Sequence, residues 1–154
     1  MADLKVTIKE SINLNNTSYG NTRSVTYSGI VDVYKRILTL TANTEVNLYT
    51  TAASQTEGSV MDKDSVKYVR ITNLESSTSI NVQITQGSND GVIWLKILAG
   101  DSLILGSHSE SIDANAGALA LAGITLGNIT SVDASGTEAP AQVELFIAST
   151  VNAV

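Results

Sequence analysis

The sequence predicts an all-β fold, an antiparallel sandwich or barrel, in a single domain spanning residues 1–154 with at most one short helical turn. Three observations carry this expectation. Apolar residues alternate with polar ones in eight or more short segments. Clusters of Gly, Asn, Asp and Ser separate those segments. The chain has one proline, Pro140, as many paired strands require, because proline removes a donor from the ladder.

The segments follow in order. Leu4, Val6 and Ile8 point one way, and Lys5, Thr7 and Lys9 the other, with Ile12 and Leu14 continuing the even positions. The stretch NNTSYGN at 15–21 reads as a turn. Val25 and Tyr27 resume a strand, and 30–41 (IVDVYKRILTLT) is longer and rich in β-branched and aromatic residues. Val46 and Leu48 mark another strand, and residues 51–65 read as a long polar loop. KYVRITNLESSTSINVQI at 67–84 is a strand, a polar turn and a strand. Val66 and Tyr68 fall on one face of its first strand and Val69 and Ile71 on the other, which predicts cover on both sides. Asn89-Asp90-Gly91 is a tight-turn signal, since Asp-Gly tolerates the positive φ that hairpin turns demand. After it, VIWLKIL, AGD and SLIL read as strand, tight turn and strand, and Val143, Leu145 and Ile147 alternate near the end. The stretch 112–128 (IDANAGALALAGITLGN) breaks the pattern. Asp113 is a candidate helix cap, yet Gly117 and Gly123 each weaken a helix by about 1 kcal/mol relative to Ala. The expectation there is irregular structure or one helical turn, then strand from about Leu119.

A chain of this length buries roughly 68–70 % of its unfolded surface and needs no staples. It has no cysteine, which excludes disulfides and thiolate metal sites. The N-terminus MADLKVTIKE is charged and alternating and has no apolar signal core. No apolar run approaches the ~20 residues of a membrane helix. The net charge of −6 is uneven: residues 1–77 carry eight basic and eight acidic side chains, whereas 78–154 carry Lys96 alone against seven acids. Nucleic-acid binding needs clustered cations to displace counterions from phosphate, and the pair Lys35–Arg36 is the nearest approach to a cluster.

The search for chemistry finds candidates of low specificity. His108 is the only histidine; His108 and Glu110 would share a face of an extended strand and could titrate together or hold a metal, but a solvated loop after Gly106 is the simpler reading. DANAG at 113–117 resembles the start of a calcium loop, but Gly falls at its fifth position rather than its sixth and Ile124 stands where the closing glutamate belongs. Asp62 with Asp64, and Asp101 with Asp113, are further pairs of hard oxygen ligands, again read first as loop residues. Three Asn-x-Ser/Thr triplets, at Asn15, Asn16 and Asn128, read as turn residues. GITLGN at 123–128 lacks the lysine and spacing of a phosphate loop. Trp94, between aliphatic neighbours, reads as core or interface before it reads as a sugar platform. No catalytic, cofactor or metal residue is therefore assigned, and the chain is expected not to be an enzyme.

The C-terminal third is rich in Ala, Gly, Leu, Ile and Thr and lacks cations. Such a surface loses little side-chain entropy on docking, and interface cores are depleted in charge. Leu119, Leu121, Ile124 and Leu126 are the candidate interface residues.

MADLKVTIKESINLNN, VDVYKRILTL, KYVRITNL, the hairpin LKILAGDSLILG and the closing QVELFIAST together resemble a family of small virion proteins of tailed, mostly marine, bacteriophages. The likeness runs through most of the chain, least in 51–65 and 107–118, and it rests on strands and turns, so no functional residue is carried over. It implies a jelly-roll-like β-sandwich made in the bacterial cytoplasm and built into the virion. The leading expectation is a capsid decoration or cement protein that forms a homo-oligomer, with a trimer as first guess. Its partners would be the major capsid protein or other virion proteins, with no cofactor, nucleic acid or membrane. A tail, neck or fibre subunit is the alternative within the virion, and a carbohydrate- or receptor-binding module the alternative outside it.

Overall fold

Alternation in sequence becomes alternation in burial. The computed structural model describes residues 1–53, 60–87, 91–106, 111–112 and 127–152. Its strands are β1 (Ala2–Lys9), β2 (Ile12–Leu14), β3 (Thr17–Tyr19), β4 (Thr22–Ile30), β5 (Asp32–Leu40), β6 (Val46–Ala52), β7 (Val60–Asp62), β8 (Val66–Asn73), β9 (Ile80–Gln86), β10 (Val92–Ile97), β11 (Ser102–Leu105), β12 (Ser111–Ile112), β13 (Gly127–Gly136) and β14 (Ala141–Ser149). Among the described residues there is no helix. In β9, Ile80, Val82 and Ile84 are buried while Asn81, Gln83 and Thr85 between them are half-exposed. β14 repeats this with Val143, Leu145 and Ile147.

Two sheets make an antiparallel β-sandwich. One has the order β11-β8-β14-β5, and the other β10-β9-β13-β6-β7, with β12 paired to β13 and β7 parallel to β6. Leu40, Leu48, Val69, Ile71, Val82, Val132, Leu145 and Ile147 fill one core. Each such side chain contributes about 1.5–3 kcal/mol by leaving water. β5 pairs with β14 in the first sheet, and β6 with β13 in the second; β8 pairs with β11 in the first, and β9 with β10 in the second. The connections β5–β6, β8–β9, β10–β11 and β13–β14 therefore each carry the chain from one sheet to the other.

This winding corrects one expectation. LKILAGDSLILG is not a hairpin. Its turn is real: the Asp101 N–H donates to the Leu98 carbonyl at 3.1 Å, and Gly100 has the positive φ, 77°, that a type II turn places at its third residue. Its strands, however, pair with β9 and β8 in opposite sheets. The β9–β10 connection does close within a sheet, and the Gln86 N–H donates to the Gly91 carbonyl at 2.8 Å. The expected 51–65 loop is also shortened. β6 continues to Ala52, and the three-residue β7 buries Met61, too short a strand to show a period. The expectation of a helical turn and strand after Asp113 lies outside the described residues.

One buried polar residue stitches the sheet-crossing turns together. Asn73 is fully buried at the end of β8. Its side-chain amide donates to the carbonyls of Thr78, 2.8 Å, and Leu98, 3.1 Å. Its Oδ1 accepts from the Glu75 N–H at 3.1 Å, and its own N–H donates to the Asp101 carbonyl at 3.0 Å. The polar turn after β8 thus binds the turn after β10. Leu or Ala at this position would strand several buried backbone groups. Asn73→Leu should cost on the order of 2–3 kcal/mol in urea unfolding, and a change below about 0.5 kcal/mol, the range of ordinary surface substitutions, would show that the amide holds nothing.

Candidate interaction surface

The first thirty residues stand outside the sandwich as a two-stranded ribbon. β1 pairs with β4 and β2 with β3, and the register is constant from Leu4–Tyr27 to Leu14–Thr17. Between the two paired segments the Glu10 N–H donates to the Asn21 carbonyl at 2.8 Å. The tip is a two-residue turn in which Asn15 and Asn16 have φ of 53° and 61°. Type I′ turns need positive φ at both central positions, and asparagine tolerates it better than most residues. The turn predicted over 15–21 is therefore confined to Asn15-Asn16, and 17–19 is strand. Gly20 lies at a close approach of the two backbones, because a β-carbon there would sit 2.6 Å from the Glu10 carbonyl oxygen.

Cross-strand partners share a face, so the ribbon is amphipathic. Leu4, Val6 and Ile12 line one face opposite Tyr27, Val25 and Tyr19, and Ile8 and Leu14 continue it opposite Arg23 and Thr17. Lys5, Thr7 and Lys9 line the other with Thr22, Ser24 and Thr26, and Thr7 and Ser24 share a hydroxyl hydrogen bond of 2.9 Å. The root of the apolar face is covered. Leu4, Val6 and Tyr27 pack with Ile30, Tyr68, Phe146 and Ala148 in a second cluster on the outside of the first sheet. Farther out, Ile8, Ile12, Leu14 and Tyr19 are more than half exposed. An open cleft of about 400 Å³ separates β1 from the sheet, lined by Ile8, Lys35, Arg70, Ile104 and Phe146 among others.

Aromatic stacking and one ion triad shape the sheet beneath the root. Tyr27 lies 5.7 Å from Tyr68, and Tyr68 meets Phe146 edge-on at 6.1 Å. Burial pushes the Tyr68 phenol pKa up, against the lowering effect of Arg70 and with a smaller rise from Tyr27. The Arg70 guanidinium lies 5.7 Å over the Phe146 ring and donates to Glu144 Oε1. Lys35 Nζ lies 3.0 Å from Glu144 Oε2. The Lys35 hydrogen bond, with the charges of Lys35 and Arg70, holds the Glu144 carboxyl below its ordinary 4.5 despite burial that works the other way.

The residues singled out in the sequence fall elsewhere. His108, Glu110, Asp113, Leu119, Leu121, Ile124 and Leu126 lie outside the described residues. Asp62 serves a turn: its Oδ1 accepts from the Asp64 N–H at 2.8 Å, and its carbonyl from the Ser65 N–H at 3.1 Å. The Asp101 carbonyl accepts from Asn73. Among the described residues no group of three or more His, Cys, Asp and Glu is placed to hold a metal ion. Trp94 is not in the core: it is 54 % exposed on the edge strand β10. Alternation places it with Gln83, its half-exposed partner, on the outward face. The ribbon's exposed apolar face was missed as an interface, although its signal was present. The even apolar positions run through Ile12 and Leu14 to an Asn-Asn turn, and Tyr19, Val25 and Tyr27 mirror them on the return.

No family model, no curated protein and no solved structure matches this chain. Among the described residues no helix is long and apolar enough to cross a membrane.

The triad predicts a pH dependence of definite sign. A carboxyl whose folded pKa is lowered contributes stability that is present above its ordinary pKa and is lost as pH falls through the lowered one. Thermal melts from pH 7 to pH 3 should therefore show Glu144→Gln losing less stability on acidification than the parent protein, with the difference confined below about pH 4.5, the carboxyl's ordinary value. Parallel acid limbs would mean that the three side chains do not act as a unit.

Proposed function

We propose that this chain is a non-enzymatic structural protein of a bacteriophage virion, a decoration or cement protein that self-associates and stabilises the head. The observation that carries the reading is the amphipathic ribbon: a rigid sandwich holds out an apolar β-face that its own fold leaves half uncovered. Soluble monomers seldom leave such a face open, and an uncovered apolar face marks an interaction surface. The resemblance to small phage virion proteins supports the same reading. Its segments fall on the frame, with VDVYKRILTL in β5, KYVRITNL in β8, LKILAGDSLILG in β10 and β11, and QVELFIAST in β14. We read the winding as a jelly roll: the sheet orders β5-β14-β8-β11 and β6-β13-β9-β10 are those of an eight-stranded antiparallel ribbon folded across two sheets.

On this reading the mechanism is geometric. Each subunit, in a trimer as first guess, bridges neighbouring capsomers, and many weak contacts act together through avidity. No residue performs chemistry, and the partners are the chain itself and the major capsid protein or other virion proteins. The protein is made in the host cytoplasm and resides in the particle. One observation favours a second reading: Trp94, exposed on β10, offers a stacking surface to a sugar ring.

Quantitative mass spectrometry of purified particles tests the proposal. Roughly one copy per major capsid subunit, or another simple fraction of it, is expected for a protein bound across a symmetric shell. A single small ring per particle would move the protein to the tail or neck. Absence from particles would overturn the virion reading in favour of glycan binding, which Trp94 fluorescence would report.

A further inference from the structure

We propose that the outer half of the ribbon docks, apolar face down, on the outer face of β5 in a second copy of this chain, so that each subunit is covered by the arm of the next. The inference rests on the self-association in the reading above and deepens it by naming both surfaces.

Length comes first. From Ala2 to Leu14 the ribbon extends about 43 Å at ~3.3 Å per residue. The four-stranded sheet beneath its root is about 19 Å wide at ~4.8 Å per strand, and its nine-residue strands are about 30 Å long. The ribbon therefore overhangs its own sheet in whatever direction it crosses. The overhanging part keeps the apolar pattern of the root, with Ile12, Leu14 and Tyr19 exposed at 58, 57 and 56 %.

A matching surface lies on the same sheet. The root covers Tyr68, Ala148 and Phe146 on β8 and β14. On β5, the neighbouring edge strand, Val33 and Ile37 remain exposed at 48 and 60 %. They alternate with Lys35 on the outward face, giving the order apolar, cation, apolar. Along its first strand the arm carries Ile8, Glu10 and Ile12 at the same two-residue spacing, giving apolar, anion, apolar, with Arg23 across from Ile8 at the margin of that face. Glu10 over Lys35 adds a second carboxylate to an ammonium that has three donors, on a side chain still 57 % exposed beside Glu144.

Because arm and landing strip are different patches, the contact is heterologous and generates a closed ring or an open filament.

The chain has no cysteine, so single thiols can be placed at will. Leu14→Cys and Ile37→Cys, both at exposed positions, are purified separately, mixed and treated with a short bis-maleimide, and the unmodified chain is sedimented at micromolar concentration beside them. The expected result is an oligomer in sedimentation, with at least about tenfold more cross-linked dimer in the mixture than in either variant alone. Adding Glu10→Lys to the Leu14→Cys chain should remove that excess. An oligomer without cross-linking in the mixture overturns the docking surface and leaves self-association standing. A monomer overturns both. In assembled particles, a cross-link from residue 14 to a different virion protein instead of residue 37 also overturns the docking.

Discussion

Strand β8 must satisfy two cores at once, and the rest of the molecule is arranged around that requirement. Val69 and Ile71 point into the sandwich and are fully buried, while Tyr68 points outward and is buried as well. An outward tyrosine on a sheet face is covered only if something lies over it. The N-terminal ribbon does so through Leu4, Val6 and Tyr27. Its Tyr27 meets Tyr68, which in turn meets Phe146 on β14, so the root of the ribbon is clamped to the two central strands of the sheet. The other end of β8 is fixed by Asn73, which ties the two sheet-crossing turns to each other. One strand therefore links frame, turns and arm.

The arm itself is a structural compromise. A two-stranded ribbon is marginal in water, because it has only one face to bury and no third strand. Here about half of that face is spent on the subunit's own sheet. The remainder gains nothing until another surface arrives. Such a division suits assembly, since the frame has a core of its own and the arm's outer half gains cover only on contact. Side chains immobilised there on docking reduce the affinity of each contact. On the proposed reading, a protein bound many times over a shell tolerates weak individual contacts because avidity multiplies them.

Much of the frame was legible as alternation. Ile80, Val82 and Ile84, and later Val143, Leu145 and Ile147, each announced a strand with a buried face, and Leu4, Val6 and Ile8 announced a strand whose apolar face is covered only at its root. The two faces of β8 were legible from Tyr68 beside Val69, but Val66, expected on the face of Tyr68, packs in the sandwich core because the pairing with β14 shifts register between Tyr68 and Val66. Partnership was not legible. A period of two identifies the face a residue occupies but not the strand that pairs with it, so 95–106 read as a hairpin although its strands lie in different sheets. β7 was invisible because three residues carry no period. Trp94, read as core or interface, lies outside the core because its apolar neighbours belong to an edge strand whose outward face is open. The interface expected at 119–126, from small and apolar composition without cations, lies outside the described residues. The arm's apolar face was carried by the mirror symmetry of its two strands about Asn15-Asn16, a pattern that appears only once the turn is placed.

The most direct test of a frame with a half-covered arm is amide hydrogen exchange measured as a function of protein concentration. At high dilution the amides of β8 and β14 should be strongly protected and those of 8–23 should exchange almost as in an open chain. Raising the concentration should slow exchange across 8–23 and across β5 together, and leave β8 and β14 unchanged. Protection of 8–23 at high dilution, or exchange there that ignores concentration, would contradict the account, because the arm would then be either complete on its own or never covered.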